Sequence, residues 1–392
     1  MAEKTGGLEA LTTLARFAAP RLLKHLAGGH AQAPLEPLRA QMAGVPLDEL
    51  DAVAAAHAAR DVEGTATKWT DTGLRIEAGE EVTLLAQGRL AMSGPLDIWV
   101  GPRMGLWGRI GDGKVFKVPA EASTLRAETS GNLRLIARPP GEWASPEGRF
   151  LPGHEDPSAS GTIDVMAIKW RRSAEEGLAR LVACGLKGSL GSLLAAAEDR
   201  IRHGVETPEG WHYLWRLGDG ELYDKGKPEE EACIHCRTAA DVGILQIPAE
   251  RHLTDSLKLE WEWIAHELPS ALPEHIQPTH DYLSIAVEFD NGLDLTYMWS
   301  AALPEDTIFQ CPLEWWDERE THWVVRTKKD LGRWLPEARS IKADYERAIG
   351  GKVPEKVVQV WLIANSVFQR RPGRCDYRAI RLVDGGDRMD LC

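Results

Sequence analysis

The strand predicted over residues 257–264 carries the side chains best suited to chemistry. Its residues alternate between apolar and polar, which places Trp261 with the leucines on one face and Glu260 and Glu262 on the other. Two carboxylates at positions i and i+2 of a strand stand about 7 Å apart. That separation lies between the ranges of retaining and inverting glycosidases, so the spacing is compatible with acid–base chemistry without requiring it.

Further polar side chains are expected beside this pair. The neighbouring predicted strands, and the loop that follows residue 264, contribute carboxylates, a phenol and imidazoles. General acid–base catalysis needs such a mixture. We therefore predict a catalytic set of Glu260, Glu262, His280 and Asp281, and a ligand-binding set of Trp261, Glu288, Tyr297, Trp299, Trp315 and Trp316. The alternative for the same pattern is a solvated outer face, which antiparallel sheets commonly have.

The loop over residues 307–321 contains two adjacent tryptophans, Trp315 and Trp316. Neighbouring residues of an extended chain point to opposite sides, so at least one indole is expected to be exposed or to cover a pocket. The loop is interpreted as a lid or a sugar-stacking platform, or else as a contact with other parts of the chain.

No cofactor and no metal is predicted. Cys233, His235 and Cys236 offer soft ligands within four residues, but a second pair at a fitting distance is missing, which favours ordinary strand cysteines. Phosphate-binding glycine loops, nucleophile elbows and zinc-protease motifs are also missing from the sequence.

The elements that must position these residues are strands. From residue 211 to residue 382 seven short alternating runs predict an antiparallel sandwich, interrupted by one helix predicted over residues 334–349. The motifs of this half resemble the bacterial family known as domain of unknown function 3047, and they lie at residues 257–263, 281–289, 295–300, 324–326, 331–334, 344–348 and 377–382. The resemblance implies a concanavalin-like or jelly-roll sandwich and brings no established activity.

A second run of short strands lies between residues 65 and 170. Its motifs, among them Thr72-Gly73-Leu74, Ala86-Gln87-Gly88 and Gly131-Asn132-Leu133, resemble the PA-I type of galactose-binding lectin fold. In those lectins a calcium ion bound by oxygen ligands holds the sugar. Here the corresponding loop, residues 138–146, does not supply six to eight oxygen ligands, so we expect the sandwich without the calcium site.

Helices are predicted around these two modules. Residues 8–28, with a kink at Pro20, and a second helix from Pro46 to about Arg60 are expected to form an N-terminal hairpin, and residues 173–203 a helical linker. The fold class is thus mainly β, with two antiparallel jelly-roll-like sandwiches. The predicted regions are residues 1–62 (helical), 63–170 (lectin-like sandwich), 171–204 (linker) and 205–392 (C-terminal sandwich).

Composition limits the partners and the compartment. The formal net charge of −13 disfavours nucleic acid, and no stretch of residues is long and apolar enough to span a membrane. The N-terminus lacks a secretory pattern and the six cysteines are too scattered for a disulfide framework, so a cytoplasmic location is expected.

Two functions follow from these observations. The first is a cofactor-independent enzyme that acts on a small organic or carbohydrate-like ligand by acid–base chemistry, through elimination, hydration or hydrolysis. The second is a non-catalytic protein that binds a glycan or a protein partner, or assembles as a homo-oligomer. An enzyme predicts a deep pocket with a buried Glu260, Glu262 or His280, whereas a binding module predicts shallow aromatic surfaces.

Overall fold

A computed structural model of the chain describes residues 7–29, 35–226, 233–314 and 316–392. The chain forms two compact units. The N-terminal unit comprises residues 24–205 and 215–220, and the C-terminal unit comprises residues 7–23, 206–214 and 221–392. The helices are α1 Gly7–Leu26, α2 Leu38–Met42, α3 Leu47–Val53, α4 Pro102–Gly105, α5 Ala174–Ala183, α6 Gly188–His203 and α7 Ile341–Ala348. Among the described residues, none of these helices is long and apolar enough to cross a bilayer.

The N-terminal unit contains two main sheets and a short hairpin. The strands are β1 Ala54–Glu63, β2 Thr70–Ile76, β3 Glu81–Ser93, β4 Ile98–Val100, β5 Leu106–Ile110, β6 Phe116–Lys117, β7 Ala122–Arg126, β8 Gly131–Ala137, β9 Trp143–Ser145, β10 Arg149–Phe150 and β11 Ser160–Trp170. One sheet has the order β1-β11-β3-β4 with β7 also on β3, the other has the order β2-β8-β5-β6, and β9 pairs with β10. All of these pairings are antiparallel, as the alternating pattern predicted.

Helices cover one face of the first of these sheets. Leu85 of β3 and Ile168 of β11 form a buried cluster with Leu178 of α5 and Leu194 of α6. The residues predicted as a helical linker therefore form two helices that pack within the N-terminal unit.

The predicted N-terminal hairpin is wrong in two respects. Residues 7–23 of the first helix, which contains Pro20, belong to the C-terminal unit, whereas α2 and α3 belong to the other unit. The second helix ends at Val53, and residues 54–63 pair with β11 as strand β1. The alanines of this segment favour a helix locally, but pairing with β11 along its whole length overrides that preference.

The C-terminal unit is a two-sheet sandwich. The strands are β12 His212–Tyr213, β13 Tyr223–Lys225, β14 Ile234–Ala239, β15 Val242–His252, β16 Leu257–Glu267, β17 Tyr282–Phe289, β18 Asp294–Ser300, β19 Ile308–Gln310, β20 Glu320–Thr327, β21 Leu335–Ser340, β22 Lys356–Asn365, β23 Pro372–Asp384 and β24 Asp387–Asp390. The seven-stranded sheet has the order β12-β15-β22-β17-β18-β20-β19, and the six-stranded sheet has the order β13-β14-β23-β16-β21 with β24 on β23. Their inner faces share one core, in which Trp261 and Trp263 of β16 meet Tyr297 and Trp299 of β18.

The helix predicted over residues 334–349 is only half helical. Residues 335–340 form the edge strand β21, and α7 begins at Ile341. Pro336 lacks an N–H donor, which an edge strand tolerates because only one side of it pairs.

The connection from β16 to β17 contains a buried carboxylate. Glu274 accepts hydrogen bonds from the hydroxyls of Ser270 and Ser300, each at 2.6 Å, and from the backbone N–H of Ala301 at 2.7 Å. Burial raises the pKa of Glu274, while these three donors lower it. The Glu274 backbone carbonyl also accepts from Nδ1 of His280 at 2.6 Å, so this segment fixes the His280 ring.

Glu274→Ala is expected to lower the free energy of unfolding by about 3 kcal/mol or more, because it strands two hydroxyls and one N–H in a buried site. Glu260→Ala is the matched control. Its carboxylate forms a partly exposed pair with Arg381, so its removal should cost about 1 kcal/mol or less. Urea unfolding of both variants measures the difference, and equal losses would contradict the role given to Glu274.

Gly177→Ala tests the packing of α5. Helix propensity alone predicts a gain of about 1 kcal/mol, but a Cβ at Gly177 would lie 2.2 Å from the Trp170 ring. The Trp170 ring is buried and donates a hydrogen bond to Thr83, so it has little room to move. We expect a net loss of about 1–3 kcal/mol in thermal or urea unfolding, while Gly94→Ala, in open space, changes stability by less than about 0.5 kcal/mol.

Candidate functional site

The outer face of the seven-stranded sheet carries most of the polar groups of the C-terminal unit that could bind a ligand. On β17, Leu283, Ile285 and Val287 point into the core, which leaves Tyr282 and Glu288 on the other face. The same alternation on the neighbouring strands places carboxylates, amides and imidazoles beside Glu288.

The strand register arranges these side chains in two adjacent rows. In one row Gln246, Trp361, Thr296 and His322 follow one another, with Ala286 between Trp361 and Thr296. In the other row Gln359, Glu288, Asp294 and Glu320 are neighbours. We refer to the eight functional residues of the two rows as the polar band, which consists of Gln246, Gln359, Trp361, Glu288, Asp294, Thr296, Glu320 and His322.

One end of the polar band contains hydrogen-bonding atoms that lack partners. Among the residues that the structure describes, the buried Oε1 atoms of Gln246 and Gln359 and the indole N–H of Trp361 have no hydrogen-bond partner. Such groups are rare in folded proteins because each costs free energy when water is excluded. The edge of Trp316 packs against the ring of Trp361 at a centroid distance of 6.2 Å.

The other end of the polar band contains a cluster of four buried side chains. His280, Cys311, Glu320 and His322 place their ligand atoms within 4.8 Å of one another. Glu320 and His322 share a face of β20, while the backbone N–H of Cys311 donates to the Glu320 carbonyl at 2.9 Å. His280 follows the short 3-10 turn Gln277–Thr279. Within the described part of the chain, this is the group of histidine, cysteine and carboxylate side chains that could hold a metal ion.

The surroundings of this cluster shift the pKa values of two neighbouring carboxyls, Glu320 and Asp294, in opposite directions. Burial raises the pKa of Glu320, but the imidazoles of His322 and His280 outweigh that effect and bring it to about 2. Burial and the Glu320 charge together raise the pKa of Asp294. Burial, with His322 adding to it, lowers the pKa of His280 to about 3. Glu320 is therefore ionised at neutral pH while the His280 ring is neutral.

The structure does not bring the predicted catalytic set together. Glu260 and Glu262 lie on the outer face of the six-stranded sheet, where they pair with Arg381 at 2.8 Å and Arg378 at 2.7 Å. His280 lies beyond the opposite sheet, in the buried cluster.

Asp281 has structural partners. Its carboxylate accepts hydrogen bonds from the backbone N–H groups of Phe368 and Gln369. Burial raises its pKa to about 7, although these two donors lower it. The carboxylate thus holds the turn that follows β22.

The predicted ligand-binding set is also divided. Trp261, Tyr297 and Trp299 are buried between the two sheets, and the Tyr297 hydroxyl donates to Asp344 at 2.9 Å. Glu288 lies in the polar band and Trp316 lies against it, whereas Trp315 lies outside the described residues.

Cys233, His235 and Cys236 do not converge on one point. The strand β14 directs Cys236 into the core, whereas the His235 ring lies 2.9 Å from Asp376 outside it. The cluster that does converge draws its residues from three places in the sequence, His280, Cys311 and the pair Glu320 and His322. Its local signal is the spacing of Glu320 and His322, two residues apart at the start of the observed strand β20.

Comparison with known proteins adds a family and several distant folds. Residues 215–381 match the family model described as "Protein of unknown function (DUF3047)". No protein with a curated description matches the chain.

Among solved structures, the chain is similar to the N-terminal domain of EclA, a PllA-like lectin, with 18% identity over 29% of this chain and 95% of that one and a TM-score of 0.23. The xyloglucanase domain of NopAA from Sinorhizobium fredii matches with 8% identity over 46% and 94% of the two chains and a TM-score of 0.28. The tandem CBM22 domains of Xyn10C from Paenibacillus barcinonensis match with 9% identity over 86% and 93% and a TM-score of 0.23. TM-scores this low carry no argument about ligand or activity.

The family match therefore provides the comparison that bears on this chain. It covers the strands that form most of the C-terminal sandwich, and it coincides with the motifs on which the resemblance was based. The C-terminal half of the chain, over residues 215–381, thus resembles the family of proteins of unknown function DUF3047, as its sequence motifs predicted.

Proposed function

We propose that the C-terminal unit binds a polyhydroxylated ligand, such as a sugar or short glycan, on the polar band. One observation carries the proposal: among the described residues, two buried amide oxygens and one buried indole N–H without hydrogen-bond partners lie side by side on the outer face of the sheet, where Gln359 and Glu288 are partly exposed. A molecule rich in hydroxyl groups supplies both the donors and the acceptors that such a surface needs.

The aromatic groups beside these atoms suit the same class of ligand. Trp361 offers an indole N–H and an apolar ring, and Trp316 packs edge-on against it. Sugars present apolar C–H faces between their hydroxyls, which match a surface that alternates aromatic and polar groups. Glu288, next to Gln359, adds a carboxylate that accepts hydroxyl donors.

Binding has better support than catalysis. The acid–base enzyme predicted from the sequence needs Glu260 and Glu262 to face the same cleft as His280, and these groups lie on opposite sides of the sandwich. Arginine partners also hold both carboxylates in ion pairs. We therefore favour the non-catalytic function. A glycan is the proposed ligand, and a protein partner is the alternative that the experiment must distinguish from it.

Gln359→Met is expected to separate ligand affinity from stability. The substitution keeps the shape of the side chain but removes the Oε1 acceptor, so the affinity for a bound sugar should fall about three- to tenfold. The melting temperature should stay the same or rise, because Oε1 of Gln359 has no partner among the described residues of the folded chain.

The measurement is a thermal-shift screen of the whole chain against galactose and against cello- and xylo-oligosaccharides, followed by calorimetric titration of any sugar that stabilises it. A sugar at about a hundred times its Kd should add about 2.7 kcal/mol of stability. Glu260→Gln, on the opposite sheet, is the control and should bind normally. The proposal is contradicted if no sugar of the panel stabilises the chain, or if Gln359→Met leaves the affinity for a bound sugar unchanged. Either result would favour a protein partner.

A further inference from the structure

We propose that His280, Cys311, Glu320 and His322 form a Zn²⁺ site in the C-terminal unit. The site goes beyond ligand binding at the Gln359 end of the polar band, since it joins Glu320 and His322, at the opposite end of the band, to His280 and Cys311. All four residues are at most 3% exposed.

The positions of the four ligand atoms fit tetrahedral coordination. A Zn²⁺ ion with bonds of about 2.0–2.3 Å to nitrogen, oxygen and sulfur has edges of roughly 3.3–3.6 Å between ligand atoms. Nε2 of His280 lies 3.5 Å from Sγ of Cys311, and Nε2 of His322 lies 3.5 Å from Oε1 of Glu320. The largest separation among the four ligand atoms is 4.8 Å, so a small inward adjustment completes the tetrahedron.

The donor types select the metal. One thiolate, two imidazoles and one carboxylate form a set that suits Zn²⁺, whereas Ca²⁺ and Mg²⁺ require six or more oxygen ligands. Four protein ligands fill a tetrahedral coordination sphere. The ion would therefore stabilise the fold rather than activate a water molecule.

A second, independent observation concerns His322. Its ring is fully buried, and within the described residues neither ring nitrogen has a hydrogen-bond partner. Oε1 of Glu320 lies 3.5 Å from Nε2 of His322, which is too far for a good hydrogen bond. An imidazole in this position loses its contacts with water without gaining others, whereas a metal ion would satisfy it.

The surrounding residues orient the ligands as metal sites require. Nδ1 of His280 donates to the Glu274 carbonyl at 2.6 Å, which leaves Nε2 unprotonated and directed at Cys311. Oε1 of Glu320 accepts from the hydroxyls of Tyr282 and Thr296, each at 3.1 Å. The Phe309 ring stacks on His322 at 4.9 Å and limits its rotation.

The alternative is a buried polar cluster without a metal, in which His322 and Glu320 form an ion pair and Cys311 packs as a small apolar residue. That cluster would bind no ion. The two descriptions therefore differ in stoichiometry, in spectrum and in the response to single substitutions.

The experiment uses the whole chain without an affinity tag, stripped with a chelator and then titrated with Zn²⁺ alone. We expect one equivalent by elemental analysis after gel filtration and a melting temperature that rises by several degrees. Replacement by Co²⁺ should give the intense visible bands of tetrahedral coordination together with a thiolate charge-transfer band. Wild-type protein that takes up less than about 0.1 equivalent, with no shift and no such spectrum, overturns the proposal.

A graded set of variants assigns the ligands. Cys311→Ser should remove the charge-transfer band and weaken Zn²⁺ binding by more than about a hundredfold. If this variant does not fold, His322→Gln takes its place, and it should weaken Zn²⁺ binding by a similar factor. Tyr282→Phe, which removes only a hydrogen bond to Glu320, should weaken binding about tenfold. Cys233→Ser, the matched cysteine control, should keep one equivalent and the full spectrum. Loss of the band in Cys233→Ser, or its retention in Cys311→Ser, would place the ion elsewhere.

The two proposals fail separately. Zinc uptake is measured without sugar, and the Gln359→Met variant is expected to bind one equivalent of Zn²⁺. A Gln359→Met variant that loses sugar binding but retains zinc would support a sugar site at the Gln359 end of the polar band that is independent of the zinc site.

Discussion

The parallel pairing of β18 with β20 is the contact on which the outer face of the seven-stranded sheet depends. Every other pairing in this sheet is antiparallel. In this register Asp294 lies beside Glu320 and Thr296 beside His322, so one strand pair brings together two carboxyls, a hydroxyl and an imidazole. A shift by one residue would turn Glu320 and His322 into the core and Trp323 out of it. The packing of Trp323 in the core therefore keeps Glu320 and His322 on the outer face of the sheet.

Burying so many polar groups on one sheet is costly, and the two ends of the band deal with that cost differently. Around Glu320, hydroxyl donors and imidazoles surround an ionised carboxylate, while burial and the Glu320 charge raise the pKa of the neighbouring Asp294. At the other end, the buried Oε1 of Gln359 and the indole N–H of Trp361 have no hydrogen-bond partner among the described residues. A ligand that forms hydrogen bonds with these atoms gains interactions that the fold itself leaves unmade. For this reason, polar groups without partners are often found in binding sites.

Local periodicity in the sequence predicted about half of the strands, and in the C-terminal sandwich the faces of some of them, but not which faces meet. The strand predicted over residues 257–264 begins at its observed first residue, and the inward direction of Trp261 followed from alternation alone. The error lay in placing Glu260 and Glu288 on one face, since sheet order, which joins β16 to β21 and β23, is set by pairings between distant segments. The cluster around Glu320 was missed for the same reason, because His280 and Cys311 reach it only through the folded topology. At residues 54–60 a helix was predicted because alanines favour one locally. The structure instead pairs residues 54–63 with β11, a strand distant in the sequence.

The chain passes between its two units four times, after residues 23, 205, 214 and 220. Residues 7–23 are synthesised before the N-terminal unit, yet the strands of the C-terminal unit to which they belong are made only after residue 211. The first helix must therefore wait through the synthesis of an entire neighbouring unit, some tens of seconds at the slower translation rates. No single cut in the backbone separates the two units, because each of them is built from more than one segment of the chain. Synthesis of the C-terminal unit therefore begins before that of the N-terminal unit and continues after it.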